Sequence, residues 1–321
     1  MVVPASNAAT LAHLLPEEHV GAISAVQPIS GGLSGAAVYA VTSTRGDLVL
    51  RVNAEGGGTA RWAQQLRVLR RAAEQGIAPA IVYVDDAARA IVSSRAPGVP
   101  LVAALMDPAQ RGPAIASVVE QLRALHAIDR TGVEERNPLD QAYEHYATQR
   151  RRPGFPVWVA AVDPVLDSIA KTLARDPRRV VSHNDLNPGN VLWDGARAWL
   201  VDWDAAGLAH PLYDLAVLAM FLQLDDAAAH DLIARQEQRP LDDLARDTFA
   251  ALRRLAALLC GLVFASMVPD LTVLPAAGPN LSTFYAGLRA GTLSLRDAGG
   301  RAAFALALLR LAAPSGPESA P

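Results

Sequence analysis

An α+β chain, with a small β-rich first part over residues 1–95 and a larger, mainly helical part over 96–321, is predicted by three observations. Short apolar runs separated by Gly and polar turns fill the first part, which holds one clear helical stretch. From about residue 100, apolar residues recur at helical spacing instead. An Asp/Asn/Gly/Pro-rich loop in the second part then leads into a pair of short apolar runs.

Taken in order, Ala25–Ile29, Val38–Thr42 and Leu48–Asn53 read as strands, the last two joined by a turn at Arg45-Gly46-Asp47. Thr59–Glu74 places Trp62, Leu66, Leu69 and Ala73 at helical spacing. Strands Ala80–Val84 and Ala90–Ser94 follow, and Arg95-Ala96-Pro97-Gly98 leads out as a hinge. Helices are predicted near 109–127, 139–150, 162–174, 213–224 and 246–267.

Composition narrows the class. The 321 residues, 51% hydrophobic and 19% charged, can build a large core. A net charge of -3 without a basic stripe argues against nucleic acid as a partner. One cysteine, Cys260, permits no intrachain disulfide and reads as core. Met1–Thr10 lacks the form of a signal peptide, and the apolar run Leu255–Val268 is short for a bilayer span. A cytoplasmic location without a membrane partner is expected.

The chemistry is concentrated in His183-Asn184-Asp185-Leu186-Asn187-Pro188-Gly189-Asn190 and Val201-Asp202-Trp203-Asp204. Their spacing reproduces the H-x-D-x-x-x-x-N loop of kinases, with a second acid where a metal ligand falls. Phosphoryl transfer needs positioning and charge neutralisation more than covalent chemistry. Asp185 is the candidate to receive the acceptor hydroxyl. Asn190 and Asp202 are the candidate Mg²⁺ ligands beside the phosphates of ATP, since a hard cation takes oxygen donors and keeps waters. Val191-Leu192-Trp193 and Ala198–Val201, broken at Asp194-Gly195-Ala196, read as a hairpin holding the two ligands together. Asp204 joins the metal shell or caps the following turn. Asn187 contacts the acceptor or makes an Asx-turn before Pro188, the turn being the simpler reading.

With these motifs the chain resembles the aminoglycoside phosphotransferase and choline kinase family, small-molecule kinases of protein-kinase-like bilobal fold. The likeness runs from about Ile29 to about Leu222 and continues through Pro211-Leu212-Tyr213-Asp214-Leu215-Ala216. It implies that His183 supports the catalytic loop, that Asp214 braces it from the next helix, and that backbone groups near Ser94 and Ala96 hold the purine. Gly31, Gly32, Ser34 and Gly35, between the first two strands, would approach phosphate oxygens, and a hairpin turn explains the same glycines.

Arg51 stands where protein kinases carry a phosphate-pairing lysine. It can clamp phosphate bidentately, or be an edge-strand arginine facing solvent. The helix that follows has Gln64, Gln65 and Arg67 where the family has a glutamate, leaving open whether Gln65 or another group pairs with Arg51.

The expected activity is Mg-ATP-dependent phosphorylation of a hydroxyl on a small molecule, most like choline, ethanolamine or thiamine kinases. An aminoglycoside acceptor is the alternative, for which Gly32–Tyr39 speaks; the acids from Asp225 to Asp247 would suit it, and a solvated helical face explains the same acids at least as well. A non-catalytic nucleotide-binding protein of the same fold is the third, resting on the missing helix glutamate.

Overall fold

The computed structural model describes residues 11–29, 35–53, 58–155, 162–272 and 278–313. After two short helical turns at Ala12–Leu14 and Glu17–Val20, the elements in chain order are β1 (Ile23–Pro28), β2 (Ala37–Ser43), β3 (Gly46–Val52), α1 (Thr59–Glu74), β4 (Ile81–Asp85) and β5 (Ala90–Ser94). Next come β6 (Val99–Pro100), α2 (Leu101–Met106), α3 (Pro108–His126), α4 (Pro138–Gln149), α5 (Val162–Leu173) and β7 (Val180–Ser182). The rest are β8 (Val191–Trp193), β9 (Ala198–Leu200), β10 (Gly207–Ala209), α6 (Tyr213–Phe221), α7 (Asp226–Glu237), α8 (Asp243–Ser266), α9 (Leu281–Arg289) and α10 (Ala298–Ala312).

Two compact units result, Met1–Glu134 with Gly189–Gly207, and Glu135–Pro188 with Leu208–Pro321. The division falls at Glu134 and not at residue 95. Hydrogen bonding explains this: β6 pairs with β8 through Val99 and Trp193, and Leu200 N donates to Ile77 O at 3.0 Å. Ala198 N donates to Ser117 Oγ of α3 at 2.9 Å, so α3 and the β8–β9 hairpin belong with the sheet.

In the first unit an antiparallel sheet runs β1-β2-β3-β5-β4. Side chains alternate across a strand, so Tyr39 and Val41 of β2 and Leu48 and Leu50 of β3 share one face. Leu11, Leu14, Leu15 and Val20 pack against that face. Val49, Arg51 and Asn53 have the opposite parity. Because β3 lies between β2 and β5, Arg51 is on an interior strand, and its side chain is 16% exposed, so it does not stand at an edge facing solvent. The β2–β3 turn is centred one residue earlier than predicted, since Ser43 already pairs with Gly46.

The second unit is built on α8, which packs against α10, α4, α6 and α5. By length and composition α8 could cross a membrane, longer than the apolar run suggested, but its apolar window is 72% buried inside the fold. Phe304 of α10 gathers Phe284 at 4.7 Å and Phe264 at 4.7 Å between ring centroids. Arg152 donates to Ala265 O at 2.8 Å and Pro269 O at 3.1 Å, satisfying carbonyls at the C-terminal end of α8.

Candidate active site

Each unit holds a group of polar side chains from the motifs. In the second unit β7 ends at Ser182 and feeds the loop 183–188. Asp214 sits in the first turn of α6, fully buried, where the positive end of the helix favours a carboxylate. Its Oδ2 accepts from Ser182 Oγ at 2.8 Å and His183 N at 2.9 Å, and its Oδ1 accepts from Asn184 N at 2.7 Å. Asn184 has φ +64°, a left-handed conformation Asn tolerates better than most residues. The loop is therefore turned and tied before Asp185 is reached. Asn187 Nδ2 donates to Asp185 Oδ1 at 3.1 Å.

Two neighbours of Asp185 come from helices. Tyr213 of α6 is fully buried, and burial, with Cys260, Asp185 and Asp214 adding, keeps its phenol protonated far above the usual range. Cys260 of α8 is pushed up to about 12 by burial, with the Asp185 carboxylate adding, so it stays a thiol.

In the first unit the β8–β9 hairpin pairs Val191 with Leu200, and Val201 N donates to Asn190 O at 3.0 Å. Asn190 and Asp202 are thereby held at the open end of one hairpin. Asp202 has φ +66°. Its Oδ1 lies 3.0 Å from Arg51 Nη2, which also meets Asp204 Oδ2. Arg51 Nε donates to Asn53 Oδ1 at 2.9 Å, Asn53 Nδ2 to Gln65 Oε1 at 2.8 Å, and Gln65 Nε2 to Asp204 Oδ1 at 2.5 Å. Burial raises the Asp204 carboxyl, Arg51 opposes that, and Asp202 adds to it.

Among the described residues no three His, Cys, Asp or Glu gather as a metal site. Asn190 and Asp202 offer an amide and a carboxylate oxygen, which suits a hard divalent cation that takes its other ligands from phosphates and water.

A family model described as the phosphotransferase enzyme family, APH, matches residues 25–258. The chain belongs to this phosphotransferase family. A choline/ethanolamine kinase family protein from Mesorhizobium loti is 21% identical, with a TM-score of 0.67, over 97% of this chain and 94% of that one. Choline kinase LicA from Streptococcus pneumoniae is 15% identical, with a TM-score of 0.59, over 81% and 88%. An aminoglycoside-3'-phosphotransferase of type VIII is 24% identical, with a TM-score of 0.55, over 74% and 94%. No curated protein matches the chain. The fold is the protein-kinase-like α+β fold of these enzymes, and the chain is a kinase of the phosphotransferase family.

Against this phosphotransferase frame, Asp185, His183, Asn187 and Asp214 come together in one unit, and Arg51, Asn190, Asp202 and Asp204 in the other. Asp204 is engaged by Arg51 and Gln65. Asn187 turns its amide nitrogen to Asp185, a contact compatible with an Asx-turn through its amide oxygen. Ser94 N donates to Ala80 O at 2.8 Å and Ser94 Oγ accepts from Ala80 N at 3.1 Å. The N–H of Ser94 is thus already used by Ala80 O. Gly31, Gly32 and Ser34 lie outside the described residues, and Gly35, exposed at φ +72°, is the described member of that cluster.

Asn53 was missed by sequence reasoning, although its place two residues after Arg51 puts both on one strand face. Lys171 is the single lysine among 29 basic residues, so arginine in place of lysine at position 51 follows a chain-wide preference.

Proposed function

We propose that the chain transfers the terminal phosphoryl group of ATP to a hydroxyl of a small amino-alcohol of the choline or ethanolamine type. The observation that carries this reading is the Asp214-tied loop, which fixes Asp185 beside Asn187. Asp185 accepts the proton of the attacking hydroxyl, and Asn187 orients its carboxylate. Asn190 and Asp202 hold Mg²⁺, which when bound supplies charge neutralisation at the transferring group. Arg51 donates to phosphate oxygens, a role its planar, permanently charged fork suits.

Nucleotide use is supported by the LicA structure in complex with AMP, 15% identical with a TM-score of 0.57 over 92% of this chain and 96% of that one. An amino-alcohol is favoured by the higher TM-score to the choline/ethanolamine kinase family protein, 0.67, against 0.61 for a putative aminoglycoside phosphotransferase from Ralstonia eutropha that is matched as completely. The likeness to the aminoglycoside-3'-phosphotransferase keeps an aminoglycoside as the second reading. ADP release with Mg-ATP is the test, measured against choline, ethanolamine, thiamine and kanamycin. Turnover on choline or ethanolamine is expected, and turnover on kanamycin alone would select the second reading. Nucleotide binding without transfer to any hydroxyl would favour a non-catalytic protein.

A further inference from the structure

Four side chains close a ring in the first unit: Arg51 Nε to Asn53, Asn53 to Gln65, Gln65 to Asp204, and Asp204 back to Arg51 Nη2. Its polarity is forced. Guanidinium only donates and carboxylate only accepts, so both amides between them must run in the same sense. Each amide spends one N–H and its oxygen within the ring, and neither can flip without placing donor against donor.

From this closure we infer that Asn53, Gln65 and Asp204 are the positioning residues of the phosphate clamp, doing in this chain what a helix glutamate does opposite a strand-three cation. The carboxylate that fixes Arg51 comes from the segment after β9, and α1 contributes an amide that holds this carboxylate in place. Arg51 is thereby fixed from two directions, one nitrogen towards Asn53 and another towards the acids Asp202 and Asp204. The inference rests on the nucleotide-site reading above and extends it to residues outside the catalytic loop.

Ring polarity makes the idea sharply testable. Gln65→Glu would place a carboxylate oxygen against Asp204 Oδ1 where an N–H now donates at 2.5 Å. Asp204→Asn would set an amide N–H₂ against Gln65 or Arg51, donor to donor. Together they restore the pattern: Asn at 204 donates to Glu at 65 and accepts from Arg51, with the net charge of the ring unchanged.

The test is the dissociation constant for MgADP, measured by titration calorimetry on the full chain with melting temperatures alongside. Each single substitution is expected to weaken binding about tenfold, equivalent to about 1.4 kcal/mol. The double variant is expected to recover to within about threefold of the parent, the non-additivity of directly coupled groups. If Gln65→Glu does not fold, Asn53→Ser opens the ring at its other amide without adding charge and should weaken MgADP similarly. Singles that bind MgADP like the parent, or a double weakened by the product of both, would overturn the inference while leaving the nucleotide site standing. A parent chain that binds no MgADP would overturn the nucleotide reading itself, and the inference with it.

Discussion

Asp214 accepts the backbone N–H of Asn184 at 2.7 Å, at a residue whose φ is +64°. A carboxylate buried in the first turn of one helix thus dictates the backbone path just ahead of Asp185. Asp214→Asn leaves an amide N–H₂ facing one of three donors, Ser182 Oγ, His183 N or Asn184 N. A loss of about 1.5–3 kcal/mol in urea unfolding is expected, the range for hydrogen bonds to a charged acceptor. The transfer rate should fall about 100-fold, since small misplacements of a reacting group are costly.

Asp185 and Asp202 should separate in their effects. Asp185→Ala is expected to lower turnover by about 10³-fold, the scale of a lost general base, while changing the affinity for MgADP less than about twofold. Asp202→Ala should weaken metal-dependent nucleotide binding as well, because it removes a cation ligand and a partner of Arg51. Near-normal turnover in the first variant would show that the hydroxyl proton goes elsewhere.

His210 ties acid stability to the approach to α6. Its Nδ1 accepts from Leu212 N at 3.1 Å, and its Nε2 lies 3.1 Å from Asp176 Oδ2. Burial lowers the imidazole from 6.5 to about 4; Asp176 opposes the shift, and Arg178 and Arg179 add to it. The folded pKa lies below the unfolded one, so the unfolded chain binds a proton that the fold refuses. Stability is therefore complete above pH 6.5 and declines as pH falls towards 4, by about 3 kcal/mol at most. Asp176, held well below the usual carboxylate range chiefly by its bonds to Arg178, adds a further loss once pH drops below 3.8. Urea midpoints at pH 7.5, 5.5 and 4.5 measure the slope, which His210→Gln should flatten.

Gly98 is irreplaceable for reasons of space. Its φ is +99°, and a Cβ there would stand 2.1 Å from Trp193 O, where β6 meets β8. Gly98→Ala is expected to cost about 2–4 kcal/mol in unfolding free energy, because backbone faces backbone and no flexible side chain can yield. A melting temperature within a degree of the parent would contradict this contact.

Local chemistry was legible in the chain; distant partnership was not. The helix Thr59–Glu74 and the strand Ala90–Ser94 were predicted to the residue, because turn signals and apolar spacing bound both. The β8–β9 hairpin was readable from two apolar triplets around Asp194-Gly195-Ala196. By contrast α10 was missed because its residues are buried on nearly every side, which erases the amphipathic stripe that periodicity detects. The partner of Arg51 was sought on the neighbouring helix, yet the acids that reach it lie more than 150 residues downstream. No window of sequence contains that pairing, whereas Asp214 could be named because a family pattern carried it.

Two carboxylates share the Arg51 guanidinium, and Arg61 adds its charge near Asp204. A polyanion arriving alone meets both carboxylates in a partly desolvated place, where repulsion is weakly screened. One that arrives already complexed with a divalent cation brings positive charge with it. Order of arrival is thus written into the electrostatics: uncomplexed ATP should compete poorly with its magnesium salt, and excess chelator should release bound nucleotide.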